Sequence, residues 1–141
     1  MKGPPKRHHY SGVASALFFN QHRRSALETL ELARTIVEAL EEKQAEDILL
    51  LDIRAQTPFF EYFVICSGAS ERQLKALVEG STEAAKNKHE RSPRSIEGLP
   101  EDGWVLMDFG DVVVHAFSQN KREYYDLEEL WGEGKVVVRI K

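Results

Sequence analysis

Cysteine is nearly absent from the 141 residues: Cys66 stands alone, so an internal disulfide framework is excluded. It lies in YFVIC (62–66), an apolar run where a buried, reduced thiol and a reducing intracellular setting are expected. Long hydrophobic runs are missing too. Nothing approaches the ~18 apolar residues that a membrane span needs, and no membrane partner is expected. Acids are wholly missing from residues 1–24, which carry Lys2, Lys6, Arg7, Arg23, Arg24 and three histidines. GPP and SG interrupt this stretch, and ALFF (16–19) is too short an apolar island for a secretory signal. We read residues 1–24 as a flexible basic extension, with an organelle presequence as the alternative. The adjacent His8 and His9 have no carboxylate nearby to complete a metal site, so a solvated pair is expected.

What remains is ordinary for a folded domain. The chain is 42% hydrophobic and 30% charged, with a formal net charge of −4. Its length suits one domain with its own core. Because the first 24 residues are basic, residues 25–141 hold 14 basic and 23 acidic groups, a net of −9. An acidic body attracts basic partners and repels nucleic acid, whereas a basic arm does the reverse.

Two helices announce themselves by caps and spacing. Ser25 and Glu28 have capping-box spacing, and Leu27, Leu30, Ala33, Val37 and Leu40 follow at helical intervals. Ser70 and Gln73 repeat the signal before Leu74, Leu77, Val78, Ala84 and Ala85, with Lys86, Lys88 and His89 at the end where the dipole favours positive charge. DILLLDI (47–53) and EYFVICSG (61–68) read as buried strands joined through TPFF. RSPRSIEG (91–98) reads as a loop with a short edge strand. GWVLMDF and DVVVHAF read as strands of a tight hairpin, with Gly110 supplying the positive φ of the turn. REYYDLEELW (122–131) predicts a last helix, and KVVVRI (135–140) a terminal strand. The expected fold class is α/β, a mixed β-sheet flanked by helices in a single domain.

DFGD (108–111) poses the functional question. Asp-Phe-Gly holds magnesium in protein kinases, but that chemistry also requires a glycine-rich loop, a strand lysine and an HRD-type loop. None is present, and a turn between two apolar strands needs nothing more. A nucleotidyl transferase is the subtler enzyme. SGAS (67–70) opens a capped helix, whose N-terminus suits phosphate, and Asp108 and Asp111 offer carboxylates for metal. Yet those two straddle a turn, and no third acid has an evident place beside them. Cys66 and His115 could form a nucleophile and base. Both sit mid-strand among apolar residues, where a core thiol and a hydrogen-bonded core histidine are favoured. RSPR could touch phosphate, but a plain loop suffices. No catalytic residue, metal or cofactor is assigned.

Four blocks carry a resemblance: AEDILLLDI (45–53), EYFVICSGASERQLKAL (61–77), IEGLPEDGWVLMDFGDVVVHAF (96–117) and REYYDLEELWGE (122–133). Together they resemble the ribosomal silencing factors, the Iojap-like family, over about residues 26–133. Glu61 replaces a common Asp, and CSGAS a frequent ATGTS-like run. The resemblance makes residues 25–141 the Iojap-like domain and implies a nucleotidyltransferase-like fold without a working catalytic set. It implies binding to ribosomal protein uL14 on the large ribosomal subunit, at the face that meets the small subunit. Bound there, a protein of this family is expected to block subunit association and repress translation under nutrient limitation. Assembly of the large subunit is the alternative role, a small transferase the other. It also implies a cytoplasmic bacterial protein, organelle import being the alternative.

Strand alternation places Trp104, Leu106 and Asp108 on one face of the sheet, with Val105 and Met107 on the other. From the family motif, the partner surface is carried onto Trp104, Leu106, Asp108, Asp111 and Tyr125, and onto Tyr62 and Arg72. Gly68 and Gly110 are taken as backbone positions. A contact between rRNA and the basic arm, and a homodimer of the free protein, are further partner expectations.

Overall fold

The computed structural model describes residues 26–132 and 134–141. The capping box at Ser25 and the basic extension lie outside them.

Helix α1 spans Ala26–Glu42. Leu32, Ala33, Ile36, Val37 and Leu40 form its buried stripe, the spacing of one helical face. Strand β1 (Glu46–Asp52) turns back into β2 (Tyr62–Gly68). Helix α2 (Glu71–His89) follows. Its cap is the one expected: Ser70 Oγ accepts from the Gln73 backbone N–H at 3.1 Å. The Gln73 side chain reaches back to accept from the Ala69 N–H at 2.6 Å. Its amide also donates to the Gln44 carbonyl at 2.8 Å, beside the end of α1. One residue therefore starts α2 and satisfies a carbonyl beyond the end of α1.

A short edge strand β3 (Ser95–Glu97) leads through a 3₁₀ turn to β4 (Trp104–Asp108) and β5 (Val112–Ser118). The expected final helix is two. Helix α3 (Gln119–Tyr125) ends at Asp126, whose φ of 44° is left-handed, and α4 (Leu127–Leu130) restarts at once. The stretch has neither glycine nor proline at the break, so sequence spacing alone joins the two. The break lets Leu127 and Trp131 pack onto the sheet. Strand β6 (Lys135–Ile140) completes it.

The six strands lie in the order β3-β4-β5-β2-β1-β6. β2 and β5 run parallel and every other pair is antiparallel. This is the mixed sheet expected. β2 is central, and all seven of its residues are buried. Tyr62, Val64 and Cys66 join Ile48, Leu50, Met107, Val112 and Val114 in the core against α1 and α2. Alternate residues, Leu49, Leu51, Phe63, Ile65, Val113 and Phe117, form a smaller cluster on the other face. Among the described residues, Phe60, Leu127 and Trp131 pack onto this second face, and Trp104 and Leu106 on it are half-buried.

Candidate functional site

The parallel pair fixes where each end of the sheet lies. Gly68 pairs with Ser118, and Tyr62 with Val112. The Ser67–Ser70 loop therefore sits at one end of β5 and the DFGD turn at the other. β5 has seven residues, and at about 3.3 Å per residue it holds those features roughly 20 Å apart. A nucleotidyl transferase site needs its glycine-serine loop and its carboxylates around one nucleotide, so this pair does not assemble one. Among the described residues, the cleft beside the loop, about 330 Å³, is lined by Glu71, Glu101 and Asp102 against a single cation, Lys121. That balance opposes a phosphate. Among the described residues, no cluster of three His, Cys, Asp or Glu has the placement of a metal site.

At the DFGD turn both carboxylates are already engaged. Asp108 accepts from the Gly110 N–H at 2.7 Å and pairs with Arg94 at 3.2 Å. Asp111 accepts from Thr29 of α1 at 2.9 Å and from Arg91 at 3.0 Å. Arg91 also donates to the Phe109 carbonyl at 2.8 Å. Gly110 takes φ 98°. RSPR is thus the clasp of the hairpin, and DFGD is a turn stitched to α1 and to the segment after α2.

Cys66 and His115 do not meet. Ile65, not Cys66, is the register partner of His115. Cys66 points into the helix-side core, while His115 packs against Phe63 and Trp104 on the opposite face. Burial pushes the Cys66 thiol up to about 12, far from a nucleophile's range.

The second face carries the most distinctive surface. Trp104 and Leu106 are half-buried on β4, as alternation predicts. The Trp104 ring lies 5.0 Å from that of Phe117 and 4.5 Å from that of Tyr125, centroid to centroid. Tyr125 is 43% exposed, and Lys121 stands 6.0 Å above its ring. Phe63 continues the aromatic row to His115, Phe60 and Trp131. The indole N–H of Trp104 donates to His115 Nδ1 at 3.2 Å. His115 is the hydrogen-bonded core histidine expected, and burial pushes its pKa down to about 4.

Of the partner residues expected, the structure brings Trp104, Leu106 and Tyr125 together. Tyr62 stands apart from them: it is 3% exposed, inside the helix-side core, with the Arg54 guanidinium 5.5 Å from its ring. A side chain so covered has almost no surface to offer. Asp108 is 8% exposed and engaged by the turn and by Arg94. Asp111 faces α1 through Thr29. Arg72 is exposed, but on α2, behind the sheet. Phe60, Phe63, His115, Leu127 and Trp131 were not anticipated on this face. The shared parity of His115 and Phe117 along β5 is the one signal that pointed there.

A second cleft, about 840 Å³, opens where α3 meets the start of β1 and the end of β2. Its centre is Arg122, whose guanidinium is engaged by Glu128 at 2.7 Å, the Asp47 carbonyl at 2.6 Å and Ser67 at 2.9 Å. Asp47 itself is left-handed, φ 45°, where the β1–β2 register shifts. Arg122 thus binds a β-bulge to the last helices.

Comparison with known proteins gives this geometry its context. Residues 26–141 match the family model described as "Ribosomal silencing factor during starvation". The chain is 42% identical over 95 residues to the ribosomal silencing factor RsfS of Bacillus subtilis, covering 67% of this chain and 80% of that one. It is 37% identical over 98 residues to the mouse protein named "Mitochondrial assembly of ribosomal large subunit protein 1", covering 68% of this chain and 43% of that one. Among solved structures, the Chromobacterium violaceum protein CV0518 superposes with a TM-score of 0.69 at 36% identity, covering 77% of this chain and 92% of that one. With the match running from α1 through β6, this chain belongs to the ribosomal silencing factor family.

Proposed function

We propose that this protein binds the large ribosomal subunit through ribosomal protein uL14 and sterically blocks the joining of the small subunit. The observation that carries the reading is the Trp104, Leu106 and Tyr125 surface on the sheet face away from α1 and α2. Large aromatics partly exposed beside apolar neighbours are the residues that dominate protein interfaces. Family membership supports a ribosomal partner for that surface, and a net of −9 over residues 25–141 suits a basic ribosomal protein. The role needs no reaction, which agrees with the separation of the Ser67–Ser70 loop from Asp108 and Asp111. The mouse relative's name favours a second reading, assistance in building the large subunit.

Co-sedimentation with purified subunits tests the proposal. The protein is expected to migrate with the large subunit alone and to reduce the yield of joined ribosomes. Trp104→Ala is expected to keep its fold and weaken binding by about 2 kcal/mol, roughly thirtyfold, the scale of an interface hot spot. Binding to neither subunit would overturn the reading. Binding to the large subunit with undiminished joining would transfer the role to assembly.

A further inference from the structure

Trp104 projects a bulky indole whose N–H needs an acceptor once a partner excludes water. That acceptor is built in. Trp104 pairs with Phe117 and Leu106 with His115 across the antiparallel β4 and β5, so Trp104 and His115 are diagonal neighbours on one face. Nε1 of Trp104 lies 3.2 Å from Nδ1 of His115. An indole N–H can only donate, so Nδ1 must be the bare nitrogen and the imidazole proton sits on Nε2. His115 is 5% exposed. Burial holds its pKa near 4, so the ring stays neutral and Nδ1 stays an acceptor around neutral pH.

Packing alone does not call for a histidine here. Among the described residues its buried Nε2 has no hydrogen-bond partner, which is a destabilising arrangement that phenylalanine or leucine would avoid. The neighbours are aromatic: Phe63 meets the ring edge-on at 5.0 Å, and Phe117 lies nearly parallel to it at 6.1 Å. A polar ring retained among these side chains, with one nitrogen left unsatisfied, is explained by the bond its other nitrogen makes. We infer that His115 is the positioning residue of the docking face: it fixes which edge of the Trp104 indole turns inward, and so presents the remaining edge, with Tyr125, to the partner. This rests on the docking reading above. Holding the indole in advance removes an ordering cost that a freely rotating side chain would meet on binding.

The experiment uses the full chain carrying Trp131→Phe, so that Trp104 is the only fluorophore of its kind. Indole emission and acrylamide quenching of the free protein are measured beside affinity for purified large subunits. His115→Phe is expected to shift emission to the red, raise quenching and weaken binding about tenfold. His115→Leu takes its place should the ring replacement fail to fold. His115→Asn sets an amide oxygen close to where Nδ1 stands and is expected to restore most of both signals. An unchanged indole signal in His115→Phe or His115→Leu overturns the positioning role, as does a changed signal with undiminished affinity. Trp104→Ala, measured alongside, separates the two claims. If it binds as tightly as the parent, the docking reading falls and this inference falls with it. If it binds weakly while the His115 variants match the parent, docking stands and His115 has no part in it.

Discussion

Replacing Arg122 with methionine removes every donor of the guanidinium while keeping a side chain of similar length. The arginine is 9% exposed. Three bonds of 2.9 Å or less would be lost, to Glu128, the Asp47 carbonyl and Ser67. Removing one partner of a buried ionic cluster costs about 3–5 kcal/mol, because the others are left desolvated and unpaired. Here water can reach part of the cluster: the Asp47 and Glu128 side chains are 36% and 27% exposed. The lower end, about 3 kcal/mol, is therefore expected. For a domain of this size each kcal/mol moves the melting temperature by roughly 3–5 °C, so Arg122→Met should melt roughly 9–15 °C lower. Arg139 is the internal control. It touches the Asp47 carboxylate at 3.0 Å, which also stands 3.5 Å from Arg122, and Glu128 at 3.7 Å, but its side chain is 37% exposed. Arg139→Met should cost under about 1 kcal/mol, as exposed pairs do. Thermal and urea unfolding of both variants give the comparison. A loss below about 1 kcal/mol for Arg122→Met, or equal losses for the two, would refute the claim that burial makes Arg122 the fastening of the bulge.

His115 predicts a pH dependence. Its folded pKa, near 4, is below the ordinary 6.5, so the unfolded chain takes up a proton first as pH falls. The stabilisation is present above pH 6.5 and is lost as pH drops toward 4, up to about 3 kcal/mol in all. His115→Phe should flatten that part of the stability profile, which urea titrations from pH 4 to 7 would reveal; parallel profiles would contradict the burial argument. Two glycines give a graded test of backbone demand. Gly98, φ 85°, would set an added Cβ against the Trp104 carbonyl, whereas Gly110, φ 98°, has open space around it. Gly110→Ala should cost only the left-handed strain, about 1–2 kcal/mol, and Gly98→Ala clearly more. Equal costs by denaturant unfolding would show that the contact at Trp104 is readily relieved.

The strands and caps were legible because each rests on local chemistry. DILLLDI and YFVICSG are apolar on both faces, which only a central strand tolerates. Ser70 and Gln73 carry their cap in their own side chains, and Gly110 carries its turn in its φ. The pairing of β2 with β5 is different. It joins strands about fifty residues apart, and no periodicity in either specifies a parallel neighbour. The break at Asp126 was hidden because its reward is distant in sequence: Trp131 gains the ring of Phe63, 5.0 Å away but 68 residues earlier in the chain. The family motif carries the surface onto Tyr62 and Asp108 as well, but no local pattern shows that α1 and α2 roof the one and that Arg94 holds the other. Trp104 and Leu106 were readable because their strand alternates and its two faces differ.

Strand order also sets the order in which the fold can be finished. β1 is flanked by β2 on one side and by β6 on the other, and its bonds to β6 join residues such as Ile48 and Ile140. While the chain is being synthesised, β1 and β2 emerge early as an apolar pair with both edges open; β5 later covers the β2 edge, and the β1 edge waits for β6. That edge stays open until residues 135–140 have left the exit tunnel, some ninety residues after Ile48. An uncovered edge of this kind recruits other strands. A nascent chain of this family therefore remains adhesive until almost all of the domain has been made, and chains halted before Lys135 are the ones most prone to aggregate.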